Sequence, residues 1–178
     1  MAHQEPVKRW PGVVTAVVTN TDDPENWGRI KIKYPWMTEA AESFWARLAG
    51  PGAGNNAGFI AIPEVSDEVL VAFEHGDINY PVIIGGLWNG THAIPPSTAG
   101  AAQGKKPLIR TWQSINGHYM AMHDDASDKK VEIITLGGHS FLMDDANKKQ
   151  EIKTAGGHTA TFDDQGKKIT IKSTGGHT

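Results

Sequence analysis

The chain has 178 residues, of which 39% are hydrophobic and 21% charged, and its formal net charge is −3. It contains no cysteine, which excludes disulfide bonds, thiolate catalysis and cysteine-based zinc or iron–sulfur sites. The sequence has no apolar run long enough to span a bilayer, and residues 1–12 lack the apolar segment of a signal peptide. We therefore expect neither a transmembrane helix nor classical secretion.

Six β-rich segments follow a leader that we assign to residues 1–12. The first, Val13–Asn20 (VVTAVVTN), is β-branched, and residues 28–34 (GRIKIKY) alternate isoleucine with basic residues, the period of a half-buried strand. Glycine- and proline-rich turns separate the remaining four segments, residues 44–49, 58–62, 68–74 and 81–87. Residues 37–43 could hold one helical turn. Short strands without a convincing helix predict an all-β fold that begins with a small antiparallel barrel over residues 13–90.

The charge of the barrel segment bears on its partners. Residues 13–90 contain four basic and ten acidic side chains, a balance of −6. Phosphate backbones bind to basic surfaces, so this balance argues against a nucleic-acid partner.

Residues 91–110 have no periodic pattern and are rich in Gly, Ala, Pro and Ser. This composition predicts a linker, which is too short to contain a folded enzyme domain.

An internal repeat occupies residues 111–178. Gly-His steps recur with His118, His139, His158 and His177, at intervals of 21, 19 and 19 residues, and Asp-Asp pairs stand between them. Alternation within the repeat predicts one apolar face and one polar face. Lys153 and Lys172 belong to the polar face, and the apolar face carries Phe141, Met143, Ile152, Phe162, Ile169 and Ile171.

The apolar face of the repeat is only two or three residues wide on each strand. Such hairpins in one chain bury too little surface to offset the entropy of ordering them. Stacking against copies from other chains would complete the core, so we expect a homotrimer built around a β-helix. Because residue 178 lies within a fresh repeat, we also expect the sequence to be a truncated piece of a longer rod.

Several barrel motifs together resemble a known family. They are the stretches GRIKIKYPW, FWAR, GFIAIP, DEVLVAFE, GD and PVIIGGLW, which begin at residues 28, 44, 58, 67, 76 and 81. In this order, with the Gly-Gly-His and Asp-Asp repeats behind them, they resemble the valine-glycine repeat (VgrG) and phage tail-spike proteins of contractile injection machines. The resemblance implies an OB-type barrel, a linker and the first turns of a trimeric triple-stranded β-helix, without catalysis.

The resemblance also implies a function and its partners. The chain would be a structural needle component of a phage tail, type VI secretion system or tailocin-like particle, puncturing the target envelope and carrying a tip or effector. Its partners would be two further copies of itself, hub, baseplate and tube proteins on the N-terminal side, a PAAR-like tip protein or effector on the C-terminal side, and transiently the target envelope, but no nucleic acid. It would assemble in the bacterial cytoplasm and reach the particle tip without a signal peptide.

The sequence departs from the family pattern at the N-terminus. VgrG-type proteins carry a large hub domain before the barrel, whereas twelve residues precede it here. The hub is then expected either as a separate chain or as a segment cut away. An alternative of another class stays open: an OB-fold module that binds carbohydrate or single-stranded nucleic acid and carries an oligomerising β-helical tail.

The repeat histidines and aspartates could each be ligands. Three chains would bring three copies of every Gly-Gly-His imidazole to one axis, where a metal could bind. A turn in which each imidazole hydrogen-bonds a neighbouring carbonyl or water explains the same pattern, and we favour it. The Asp-Asp pairs are interpreted as solvated Asx turns and not as calcium ligands or acid/base catalysts.

Trp36, Trp45 and Trp88 could form a stacking platform for bases or sugars on the barrel. The acidic surroundings favour roles in the core or in a subunit interface instead. The sequence has no Gly-x-Ser-x-Gly, P-loop or His-Glu-x-x-His motif. We therefore assign no catalytic residue, no cofactor-binding residue and no metal ligand.

Overall fold

A computed structural model describes residues 9–37, 42–98 and 107–175. The chain divides into two compact units, Met1–Ala93 and Ile94–Thr178. Regular structure in the described residues is almost entirely β, with two short 3-10 turns at Glu74–Gly76 and Pro96–Thr98. None of the helical segments in the described ranges has the length and apolar character needed to cross a membrane.

The first unit contains seven strands. Their bounds are β1 Val13–Asn20, β2 Lys31–Lys33, β3 Arg47–Leu48, β4 Ala53–Gly54, β5 Ala57–Gly58, β6 Glu68–Phe73 and β7 Pro81–Leu87. Five of them form one sheet in the order β2-β1-β6-β7-β3, in which only the β3–β7 pair is parallel. The bridges Ile30↔Ala46 and Lys33↔Glu42 join β2 to the segment around β3 and close the sheet into a barrel. Closure with a parallel contact between the third and last barrel strands is the OB arrangement.

Alternating burial along the strands builds the barrel core. Every second residue of β6 is buried, namely Val69, Val71 and Phe73. These side chains pack with residues from the other barrel strands: Ala16, Val18, Ile30, Ile32, Tyr34, Ala46 and Ile83. Burial also raises the pKa of the Tyr34 phenol to about 12, because the phenolate would lose its water. One chain thus supplies a complete apolar core.

Two strands expected from the sequence are shorter than expected. Residues 44–49 contribute only the two-residue β3, and the segment at 58–62 reduces to the end of the small β4–β5 hairpin. At Gly58 (φ 155°) an added Cβ would lie 2.4 Å from the Gly52 carbonyl oxygen. The two backbone segments therefore approach too closely to leave room for a side chain at this position. Most of the expected helical turn at residues 37–43 lies outside the described residues.

The second unit is a seven-stranded antiparallel meander in which each strand pairs with its neighbours in sequence. All seven strands have five residues: β8 Ile109–Gln113, β9 Tyr119–His123, β10 Lys130–Ile134, β11 Ser140–Asp144, β12 Lys149–Lys153, β13 Thr159–Asp163 and β14 Lys168–Lys172. Gly117, Gly138 and Gly157 adopt φ values of 85–86° at one set of turns, a left-handed conformation that suits glycine. The sequence-based prediction of an all-β fold, with a barrel followed by a repetitive β-region, is confirmed.

Candidate functional surfaces

The pairing register of the meander aligns the apolar side chains in two rows. One row runs across all seven strands as Trp112, Met120, Ile133, Phe141, Ile152, Ala160 and Ile171. The second row is apolar except for Arg110 and Gln150, and it runs as Arg110, Met122, Val131, Met143, Gln150, Phe162 and Ile169. Residues two apart on a strand point to the same side, so both rows lie on one face. We call this surface the apolar face.

The six residues predicted to share the buried side of the repeat all belong to the apolar face. In the single chain four of the six are largely uncovered: Ile152 is 49% exposed, Phe162 43%, Ile169 68% and Ile171 78%. A contiguous band of this kind is unusual on a soluble monomer and is typical of an interaction surface. The apolar face is therefore the first candidate functional surface.

The opposite face of the meander, which we call the polar face, carries an alternating charge row, and it also holds a few apolar residues such as Leu142 and the buried Ala121. The register aligns Lys130 with Asp144, Asp144 with Lys149, and Asp163 with both Lys149 and Lys168. Opposite charges on adjacent strands attract and disfavour a register slip.

Two members of this charge row have shifted pKa values. The hydrogen bond to Asp128 raises the pKa of Lys130, and the hydrogen bond from the Asn147 side chain lowers the pKa of Asp144. Lys153 and Lys172 lie on this polar face, as predicted.

The repeat histidines link each turn to the next. Nδ1 of His118 accepts the Leu136 backbone N–H at 3.2 Å, and Nδ1 of His139 accepts that of Ala155 at 3.3 Å. His158 does the same with Thr174 at 3.2 Å, while His177 lies outside the described residues. The partner is thus a backbone N–H and not the carbonyl or water expected from the sequence. An accepting Nδ1 places the proton of the neutral ring on Nε2.

The aspartates at the other turns bind their own backbone. Asp144 Oδ1 accepts the Asn147 N–H at 2.8 Å, and Asp163 Oδ1 accepts the Gly166 N–H at 2.7 Å. Asp125 accepts both the N–H and the hydroxyl of Ser127, which lowers its pKa. These are local turn bonds of the kind short acidic side chains make. Over the described ranges, no three His, Asp or Glu side chains gather as a metal-binding group.

The structure does not bring the three barrel tryptophans together. Trp36 stacks on Trp10 and Tyr34, with ring centroids 4.5 and 5.2 Å apart. Trp45 lies instead beside two cationic side chains, and Trp88 is 69% exposed near the end of β7. A platform made of these three rings is therefore absent from the structure.

An aromatic pocket that the sequence analysis missed lies elsewhere on the barrel. It has a volume of about 290 Å³. Its lining consists of three aromatic side chains, two arginines and two other polar residues: Trp27, Trp45, Tyr80, Arg29, Arg47, Glu74 and Asn79. One feature of the sequence could have indicated this pocket: Trp27 stands next to Gly28 in the turn before β2. A large aromatic residue in an otherwise polar turn often belongs to a binding surface.

Asp23 organises the loop that carries Trp27. Its buried carboxylate accepts the backbone N–H groups of Glu25, Trp27 and Arg29 at 3.0–3.2 Å. It also accepts Nε of Arg29 at 3.0 Å and Nη2 at 2.7 Å, a two-pronged ion pair. The Arg29 guanidinium holds the pKa of Asp23 well below its usual range, and Asp23 in turn raises the pKa of Arg29.

Comparison with known protein families identifies the domain family of the barrel. Residues 14–88 match the type VI secretion system/phage-baseplate injector OB domain. The barrel is an injector OB domain, and the chain is VgrG-like. The resemblance drawn from the motifs is thereby confirmed.

Similarity extends beyond the barrel in several relatives. The VgrG-like chain is 37% identical to the type VI secretion system spike protein VgrG3 of Vibrio cholerae over 60% of its length, and 34% identical to VgrG1a of Pseudomonas aeruginosa over 73%. It is 30% identical over 73% of its length to a V. cholerae protein named actin cross-linking toxin VgrG1. The matched stretches cover 11%, 22% and 13% of these relatives, so the chain spans a small fraction of each.

Proposed function

We propose that the chain is a structural component of the spike of a contractile injection machine, either a type VI secretion system or a phage-type baseplate. The injector OB domain at residues 14–88 and the similarity to spike proteins support this role. The chain contributes no catalysis of its own. The matched part of the relative named as a toxin is 13% of that protein.

The working state that we propose is a homotrimer. The observation that carries it is the apolar face, whose two rows of side chains cross seven strands and remain largely uncovered by the part of the chain that the structure describes. Three copies that join these faces around one axis would bury them and close a β-structured needle. The Lys- and Asp-bearing face would then point to water and keep the outside of the needle from adhering to lipid.

The proposed assembly has a direction and a task. Hub, baseplate and tube proteins would bind on the N-terminal side, and a PAAR-like tip protein or an effector would follow the C-terminal end of the needle. The spike would assemble in the bacterial cytoplasm, occupy the tip of the particle and cross the target envelope during injection. Nucleic acid is not among the proposed partners, since the barrel segment carries a balance of −6.

The mass of the protein in solution tests the proposal. Light scattering at micromolar concentration should give about three times the 19.2 kDa mass of one chain. The measurement is repeated over a dilution series, because three joined faces dissociate together and the mass should fall in one step. A mass of 19.2 kDa at every concentration would contradict the trimer.

A further inference from the structure

The aromatic pocket lies on the part of the barrel where OB folds bind ligands. Ligands of OB folds contact the face of the second and third strands together with the loops that follow the first and fourth strands. In this barrel those loops are β1–β2, which holds Trp27, and β6–β7, which holds Asn79 and Tyr80. Trp45 and Arg47 from β3 and its approach complete the lining. The location thus follows from the topology and not from the pocket alone.

Two aromatic side chains of the pocket are presented to solvent, and one of them, Trp27, is held in a fixed position. Trp27 is 70% exposed and Tyr80 is 60% exposed. Trp27 stands between Asn26 (φ 56°) and Gly28 (φ 72°), both left-handed, and its N–H is held by the buried Asp23 carboxylate. The Arg29 guanidinium lies 4.7 Å from the Trp27 ring centroid and holds the ring further. A preorganised exposed ring loses little entropy when a flat ligand stacks on it.

The charges around the pocket are already paired. Arg29 binds Asp23 and Glu25, Lys31 binds Glu42, and Arg47 binds Glu74 across the pocket wall. A phosphate would have to compete with these carboxylates for the basic groups. A hydroxyl group has no such conflict, because it can donate to the Glu74 carboxylate and accept from the Arg47 guanidinium at once.

We infer that this pocket binds a short neutral oligosaccharide, with a sugar ring stacked on Trp27 or Tyr80 and its hydroxyls bonded to the Arg47–Glu74 pair. The apolar C–H face of a pyranose ring matches an aromatic surface, and its hydroxyls match the paired polar rim. The barrel would thereby add glycan binding to a part of the spike that needs no chemistry of its own. This inference rests on the barrel alone and does not depend on the trimer.

Calorimetric titration of the full chain tests the inference. The probes are chitohexaose, cellohexaose and maltohexaose, with a ten-residue oligothymidylate as the nucleic-acid comparison. At least one sugar should bind with a Kd of about 1 mM or tighter, a range typical of small shallow sites. Trp27→Ala and Tyr80→Ala should each weaken that binding about tenfold or more, since each removes one stacking surface.

Trp88→Ala is the matched control. Trp88 is 69% exposed, as open as Trp27, but it does not line this pocket. The control should keep the sugar affinity of the parent, and equal thermal midpoints of the three variants would show that the barrel remains folded. The inference is overturned if no sugar binds by about 10 mM. It is equally overturned if Trp88→Ala weakens binding as much as Trp27→Ala, or if oligothymidylate binds more tightly than every sugar.

Discussion

The barrel and the repeat sheet use similar residues in opposite ways. In the barrel, the apolar side of each strand turns inward and a single chain covers Ile32, Val69 and Ile83 completely. In the repeat sheet the apolar side is equally regular, yet Ile169 and Ile171 remain 68% and 78% exposed. The difference comes from closure, because a sheet that curls on itself buries one face and an open meander cannot.

The contrast shows where each region obtains its stability. Burying a large aliphatic side chain contributes about 1.5–3 kcal/mol, and the barrel gains this within one chain. The repeat sheet can gain it only when something covers the apolar face. The stability of the barrel should therefore be independent of protein concentration, and that of the proposed needle should depend on it.

The largest effect is expected from Phe162→Asp on the apolar face. In a trimer this change places three carboxylates in one apolar layer, at a cost of several kcal/mol for each uncompensated ion. The trimer should be lost, as measured by light scattering, while the barrel still unfolds cooperatively. Lys172→Asp on the polar face is the control and should cost no more than about 0.5 kcal/mol per site. A Phe162→Asp protein that keeps both trimer mass and melting temperature would show that the inward face is wrongly assigned.

Ile32→Ala should give the next largest effect, confined to the barrel. Ile32 is fully buried in the barrel core, and a cavity of this kind costs about 2–5 kcal/mol. Urea unfolding followed at several protein concentrations should give the same loss at each of them. Ile84→Ala, at a 45% exposed position one residue from the core Ile83, is the matched control and should lose much less. A loss that grows on dilution would mean that the barrel, too, depends on assembly.

Asp23→Asn should destabilise the barrel in a pH-dependent way. The pKa of Asp23 is lower in the folded chain than the ordinary aspartate value of 3.8, so the ionised form stabilises the fold above about pH 4. That contribution is lost as the pH falls below this value toward the folded pKa. The gap in melting temperature between parent and variant should be constant near neutral pH and narrow in acid. Asp22→Asn, at an exposed neighbour, should show little gap, and a gap unchanged down to pH 2 would contradict the assignment.

The smallest effect is expected at a repeat turn. His139→Ala removes the acceptor of the Ala155 N–H and should cost about 0.5–1.5 kcal/mol, the net value of one hydrogen bond. Faster amide exchange at Ala155 is the direct measurement. His139→Asn keeps an acceptor at a similar distance from the backbone and should restore part of the protection. An unchanged exchange rate at Ala155 in His139→Ala would contradict the role of the histidine in joining successive repeats.

The alternation of residues allowed most of the fold to be predicted from the sequence. The period of two in GRIKIKY and EVLVAF sorted core from surface in the barrel, and the same period placed Phe162 and Lys172 on opposite faces of the repeat. The two short segments around β3 and β5 were misjudged in length. Their course depends on contacts with distant parts of the chain, such as the parallel pairing of Arg47 with Val82, which local pattern does not encode.

The candidate sites divide in the same way. The apolar face could be predicted, because its members repeat at regular intervals and strand parity assigns them to one side. The aromatic pocket could not, because Trp27, Trp45 and Tyr80 belong to three separate segments that only barrel closure brings together. The acceptor role of the repeat histidines was likewise hidden, since their partners lie 16 or 18 residues further along the chain.

The sequence by itself determined the β-structure, the order of barrel and repeat, and the division of each strand into an apolar and a polar side. These are local properties, since side-chain direction alternates with every residue of an extended chain. Only the tertiary structure decided which loops meet, that Asp23 holds the Trp27 loop, and which of the two apolar surfaces one chain can cover. Those outcomes depend on strand pairing between distant residues, where a barrel closes on itself and a meander stays open.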